Sequence, residues 1–436
     1  MIRRVRTAIV LALFLPLIAA VHASAADNTA VPPAGTAPAA AAWTLRDVTD
    51  IALKNHPLVK QSDADIEAAV ARKGQAQAGW YPAVNLSTLY TQGQTYSTAR
   101  QQAIDTRIRS VRGDLEWTMY DFGRTGAAVD RADAFAAISR ENAATTREDV
   151  AFNAKVAFYN VLRAENTLEF HRKNVRQREA LLRQAQAFYE TGIRAKIDFV
   201  RAEANLYDSR ALLGQARNDL RVARITLLQR IGIDGPADFR LSGELLEAKL
   251  DGTLEDWIAE AQKNRPELRA LVEKERTAAE SLRLANAGYL PFLVGAAGYG
   301  YANREFPLRE NYTASVTLNY PLFSGFQTRE QVKEALATIS SARHEITEAR
   351  RLVRLEVERS AYGVQEAQER LAAREKQREA SEENLRLATA RYEVGAGDII
   401  EMTDAQTQMV SADTETVNSA FDYAVSQASL LRAMGR

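Results

Sequence analysis

The stretch "NYTASVTLNYPLFSG", residues 311–325, changes residue class at nearly every step. Tyr312, Ala314, Val316, Leu318, Tyr320 and Leu322 fall on one side of an extended chain, and Thr313, Ser315, Thr317 and Asn319 on the other. That is the period of a strand with one apolar and one polar face. A second stretch, "VRGDLEWTMYDFG" at 111–123, does the same, with Val111, Leu115, Trp117 and Met119 opposed to Arg112, Asp114, Glu116 and Thr118. Alternation alone also fits a half-buried hairpin of a soluble sheet. Charges on the polar face, aromatic residues near the strand ends and a length of roughly 10 residues, enough for a tilted strand to cross a bilayer, favour a barrel strand with its apolar face in lipid.

The N-terminus agrees with a membrane outside the cytoplasm. Arg3, Arg4 and Arg6 precede the apolar run AIVLALFLPLIAA and the small residues VHASAA, which reads as a secretory signal over 1–25, followed by an Ala/Pro-rich linker over 26–42. The run is short for a membrane helix, and Pro16 interrupts it. There is no cysteine in the 436 residues, hence no disulfide, and no cysteine at the signal's end to carry a lipid anchor. Basic and acidic residues balance at 56 each without a single-sign tract, so nucleic acid is not an expected partner. No later apolar run reaches the length of a transmembrane helix, which leaves strands to meet the bilayer.

The chain repeats itself. "TLRDVTDIALKNHPLV" from Thr44 is echoed by "TLEDWIAEAQKNRPEL" from Thr253, with Pro57 and Pro266 at an offset of 209. Pro82 and Pro291 keep that offset, Gly123 and Gly325 stand 202 apart, and Gly192 and Gly395 stand 203 apart. The residues lost between the second and third pairs point to a longer loop in the first copy. One repeat spans 43–236, with barrel strands at about 82–121 and a turn at about 190–198; the other spans 237–436, with strands at about 291–323 and a turn at about 393–401. Two hairpins give four strands, too few for a closed barrel, and an open sheet edge is not tolerated in lipid. Several chains are expected to share one pore.

Between Gly126 and Gly192 no glycine occurs, and proline is absent from 83 to 235, which predicts a helix of about 100 Å at 1.5 Å per residue. Val150, Ala154, Ala157, Val161, Ala164, Leu168 and Val175 form an apolar stripe at spacings of mostly three and four, with Phe152, Val156 and Tyr159 beside it. Periodicity does not separate a solid bundle from a hollow helical barrel. His171 and His344 have no histidine or cysteine at ligand spacing, so no metal site is expected and both read as packing or surface residues. Neither a phosphate-binding loop nor a nucleophile motif is present, and no cofactor or enzymatic activity is expected.

The repeat, the hairpins and the turns "YETGIRAKID" and "YEVGAGDIIEMTDAQ" resemble the TolC-type outer membrane efflux proteins over nearly the whole mature chain. The resemblance implies a mainly α fold with a transmembrane β-barrel portion, in which a homotrimer forms a 12-stranded barrel in outer membrane lipid, continuous with a periplasmic α-helical barrel. It implies a passive exit duct of a Gram-negative cell, working with a periplasmic adaptor and an inner-membrane pump of RND or ABC type, for efflux of small molecules or type I secretion of proteins. The glycine turns would form the periplasmic tip, with Gly192, Ile193, Gly395 and Ala396 engaging the adaptor. Tyr392 would help hold the closed state, Glu401 and Asp404 would line the constriction, and Asp198 would belong to an inter-helix lock. The lock's usual base is replaced here by Gly397, which leaves a hinge, while Arg194 stands at the equivalent place in the first repeat. A soluble periplasmic coiled-coil adaptor or chaperone would share the signal and the helices but has no use for duplicated hairpins.

Overall fold

The computed structural model describes residues 42–99, 101–243 and 251–436; the expected signal and nearly all of the linker lie outside them. The first repeat runs α1 (Leu45–Asn55), α2 (Pro57–Gln77), β1 (Ala83–Ser97), β2 (Gln102–Tyr120), α3 (Arg124–Glu190) and α4 (Lys196–Ile231). The second runs α5 (Leu254–Asn264), α6 (Pro266–Asn286), β3 (Phe292–Asn303), β4 (Arg309–Asn319), α7 (Gln327–Glu393) and α8 (Ile399–Ala433). The duplication reaches local chemistry. Thr44 with Asp47 and Thr253 with Asp256 form the same capping box at the start of α1 and α5, each threonine hydroxyl accepting from the aspartate N–H three residues on while the carboxylate accepts from the threonine N–H. The long helices α3 and α7 have 67 residues each, about 100 Å.

The four strands form one antiparallel meander in the order β1-β2-β3-β4. Each strand joins a helix directly, and the helices keep the same order: α2 packs on α3, α3 on α6, and α6 on α7, while nearer the turns α4 packs on α3, α3 on α8, and α8 on α7. The free edges of the sheet (β1 and β4) therefore continue into the outermost helices, α2 with α4 on one side and α7 on the other.

The extra length of the first hairpin is not in its loop. β1 and β2 have 15 and 19 residues against 12 and 11 for β3 and β4, while the connections at 98–101 and 304–308 are similarly short. The strands extend because their backbones keep pairing from Ala83↔Glu116 out to Ser97↔Gln102, past the part where apolar alternation ends. Register puts Val111, Leu115 and Trp117 on one face with Ala314 and Val316, as the sequence pattern requires. No described residue covers that face: Leu86 is 74% exposed, Val316 65% and Leu318 64%. Tyrosines 90, 299 and 312 mark one end of it and Trp117, Tyr120 and Tyr320 the other, the arrangement of interfacial aromatic belts. No helix among the described residues is long and apolar enough to cross a membrane.

On the opposite face Arg112 bonds Asp114 through Nε (2.5 Å) and reaches over β3 to the Thr313 hydroxyl through Nη2 (2.6 Å). Gly298 makes room for it, since a Cβ there would stand 2.1 Å from the guanidinium.

The stripe of α3 is buried where it was expected, at Val150, Ala154, Ala157, Val161, Leu168 and Val175. Its part from Val150 to Val161 forms the main apolar cluster with α1 and α4, closed by Phe158, Tyr159, Leu227 and Ile231, while Leu168 and Val175 pack with Leu206 and Leu213 in a second one. At roughly 0.8 kcal/mol per buried CH₂, such a seam is what holds helices of this length together. His171 is half-buried, its pKa lowered by burial, and His344 is exposed.

Candidate functional site at the paired turns

Both turns are built alike. α3 ends at Glu190, and Gly192 takes φ +69°; its N–H donates to the Tyr189 carbonyl, and the Ile193 N–H to the Phe188 carbonyl. α7 ends at Glu393, and Gly395 takes φ +79°, with its N–H on the Tyr392 carbonyl and the Ala396 N–H on the Arg391 carbonyl. This is a Schellman cap, whose left-handed position favours a residue without a Cβ. The return helices start differently. Asp398 caps α8 by accepting from the Glu401 N–H at 2.8 Å, whereas Ala195 has no side chain to cap α4.

Between the turns sits a small core of Leu181, Ala185, Ala202, Tyr392, Ile399 and Met402, with Phe188 tilted against Tyr392 at 6.1 Å between ring centroids. Tyr392 is fully buried, and its hydroxyl makes no hydrogen bond among the described residues. Burial, then Asp198, raise its pKa against the opposing pull of Arg194, so the phenol stays neutral. Asp198 forms no ion pair among the described residues, so the chain by itself does not close the lock that the resemblance implies.

Arg194 supplies the tie instead. Its Nη2 donates to the Gly397 carbonyl at 2.8 Å, and its guanidinium lies 5.5 Å from the Tyr392 ring centroid. The first turn thus grips the backbone and the buried ring of the second. Gly397 does not take a left-handed φ, and it is buried. A Cβ there would stand 3.1 Å from Arg391 Cβ and 3.2 Å from Glu401 Oε2.

Glu401 and Asp404 are exposed on α8, three residues apart and so on neighbouring positions of one helix face. They are not electrostatically alone. Arg391 Nε stands 3.4 Å from Glu401 Oε1, and the buried Arg178 is influenced by Asp404 and Asp208. Arg391 and Arg178 were not singled out from the sequence. Arg391 carried no signal there, whereas Arg178 breaks the apolar line Leu168, Val175, Leu182 at helical spacing. Around the turns Ile193 (65% exposed), Val394 (79%), Ile197 and Ile400 leave an apolar surface open. Among the described residues no cluster of three or more potential metal ligands occurs.

The profile of the family described as outer membrane efflux protein matches residues 48–233 and 257–436. The chain belongs to that family. The efflux protein is 25% identical over 435 residues to the protein CyaE of Bordetella pertussis, covering 94% of this chain and 91% of that one. It is 24% identical over 412 residues to the outer membrane protein TolC of Escherichia coli, covering 90% and 82%. The CmeC outer membrane channel of Campylobacter jejuni has the same fold, with a TM-score of 0.78 at 15% identity over 90% of this chain and 85% of that one. This efflux protein is accordingly an outer-membrane channel of a family of conduits rather than of enzymes, with a β-barrel portion and an α-helical barrel portion.

Proposed function

We propose that three copies of the chain close into one export duct, with the paired turns forming a gated periplasmic entrance. The observation that carries this is the coincidence of free edges: β1 and β4 end the sheet on the same two sides on which α2, α4 and α7 end the helical layer. Unpaired strand edges cannot remain open in lipid, so β1 of one copy pairs with β4 of the next, and the helices follow. Light scattering of the detergent-solubilised protein should give three chains per particle; a monodisperse single chain would remove the proposal.

The duct is passive and depends on a periplasmic adaptor and an inner-membrane pump for energy and cargo selection. The adaptor engages the exposed turn surface around Ile193 and Ala396. In this arrangement Glu401 and Asp404 of three chains ring the constriction and favour cations, tempered by Arg391. Planar-bilayer recordings should show Glu401→Ala with Asp404→Ala moving ion selectivity toward neutrality, and Arg391→Ala moving it further toward cations. If both variants keep the parent selectivity, the constriction lies elsewhere.

A further inference from the structure

Arg178 sits on α3 roughly 20 Å above Gly192 at 1.5 Å per residue, well clear of the turns. It is 5% exposed within a single chain, and its Nη2 donates across to α8, to the Thr407 hydroxyl at 3.0 Å and the Thr403 carbonyl at 3.3 Å. Thr407 itself donates to that carbonyl at 2.9 Å, which makes a closed triangle of three groups. The arginine's Nε and Nη1 have no hydrogen-bond partner among the described residues. Two acceptors on the buried faces of α3 and α8, Asn174 Oδ1 one turn above Arg178 and Gln406 Oε1 next in sequence to Thr407, are also without a partner among the described residues. Buried groups left in this state are costly, and the guanidinium keeps donors that its bonds to α8 do not use. The charges of Asp208 on α4 and Asp404 on α8 offset part of the cost of burying the guanidinium.

We propose that Arg178 is a two-position clasp inside each protomer. It holds α8 in the resting position through Thr403 and Thr407, and, once sliding of α8 along α3 releases it during opening, it donates to the Gln406 and Asn174 oxygens. The guanidinium is a positioning residue: it lines no passage and acts through α8, which carries Glu401 and Asp404. This deepens the gate reading above and rests on it.

The test uses the full-length protein reconstituted in planar bilayers. Arg178→Met keeps the length and apolar packing of the side chain but removes the clasp, so conductance should rise severalfold while the thermal unfolding temperature of the oligomer stays near that of the parent. Arg178→Lys should restore part of the closure. Thr407→Val, which leaves the arginine in place, should raise conductance less and should add nothing to Arg178→Met. Thr407→Val also serves where Arg178→Met does not assemble. Unchanged conductance in either variant, or a rise fully explained by unfolding, overturns the clasp. If Arg194→Ala opens the channel while these variants do not, the gate stands and the clasp falls; if Arg194→Ala has no effect either, the gate reading itself fails.

Discussion

Gly300→Ala should remove most of the assembled protein from the outer membrane. A Cβ at Gly300 would stand 2.2 Å from the Val111 carbonyl oxygen and 2.7 Å from Arg112 Cα, both backbone atoms of the neighbouring strand. Gly300 pairs with Arg112 on one side and Asn311 on the other, so the strand cannot move away without losing a ladder. Overpacking at a site that cannot yield costs about 3 kcal/mol or more, a large share of what holds any domain folded. Gly298→Ala, two residues away, meets only the mobile end of Arg112 and should cost about 1 kcal/mol, the value of the hydrogen bond to Thr313 that it displaces. Quantifying both variants in outer-membrane fractions tests the contrast. Equal levels would mean that the β2–β3 register is not the one described.

Arg194→Ala is expected to have the largest effect on the closed state. It deletes the bond to the Gly397 carbonyl and the guanidinium over Tyr392, and leaves a buried phenol with no cation near it. Charge-assisted bonds of this kind contribute about 1.5–3 kcal/mol. Arg194 is half-exposed, so solvent screening brings the tie to about 2 kcal/mol, or on the order of 30-fold in the ratio of closed to open channels. Single-channel recording should show more frequent or larger openings. Arg194→Lys should recover only part of the closure, because an ammonium keeps the charge but not the flat stacking surface. A parent-like record for Arg194→Ala would show that the two turns are held by something else.

Much of this protein could be read from its residues, because its architecture rests on patterns that propagate. Alternation over Tyr312–Leu322 depends on which side of a strand faces lipid, and the offsets between Gly192 and Gly395 or Pro57 and Pro266 record two copies of one unit. A left-handed turn favours glycine, so both turn positions stand out. The length of β1 and β2 was hidden, because beyond the lipid the strands are held by pairing with each other and no longer need alternating side chains. The tie at the turns was hidden for another reason. Arg194 bonds a backbone carbonyl, and every residue type offers one, so the residue type at Gly397 does not mark it as the acceptor. Arg178 did leave a mark, a cation on an apolar line, although its partners Thr403 and Thr407 lie more than 200 residues away.

The central claim is that one chain supplies a third of a closed wall, and the absence of native cysteine allows it to be tested directly. Leu86→Cys on β1 and Val316→Cys on β4 introduce thiols on the two free edges of a single chain, at exposed positions of the lipid face. Two strands separate those edges within a chain, about 14 Å at the usual strand spacing, so a shorter thiol crosslinker joins them only between chains. Treated in outer-membrane vesicles, the doubly substituted protein should run as linked dimer and trimer with nothing larger, and each single variant as monomer. A ladder extending past three chains, or no linkage at all, would contradict a closed ring of three.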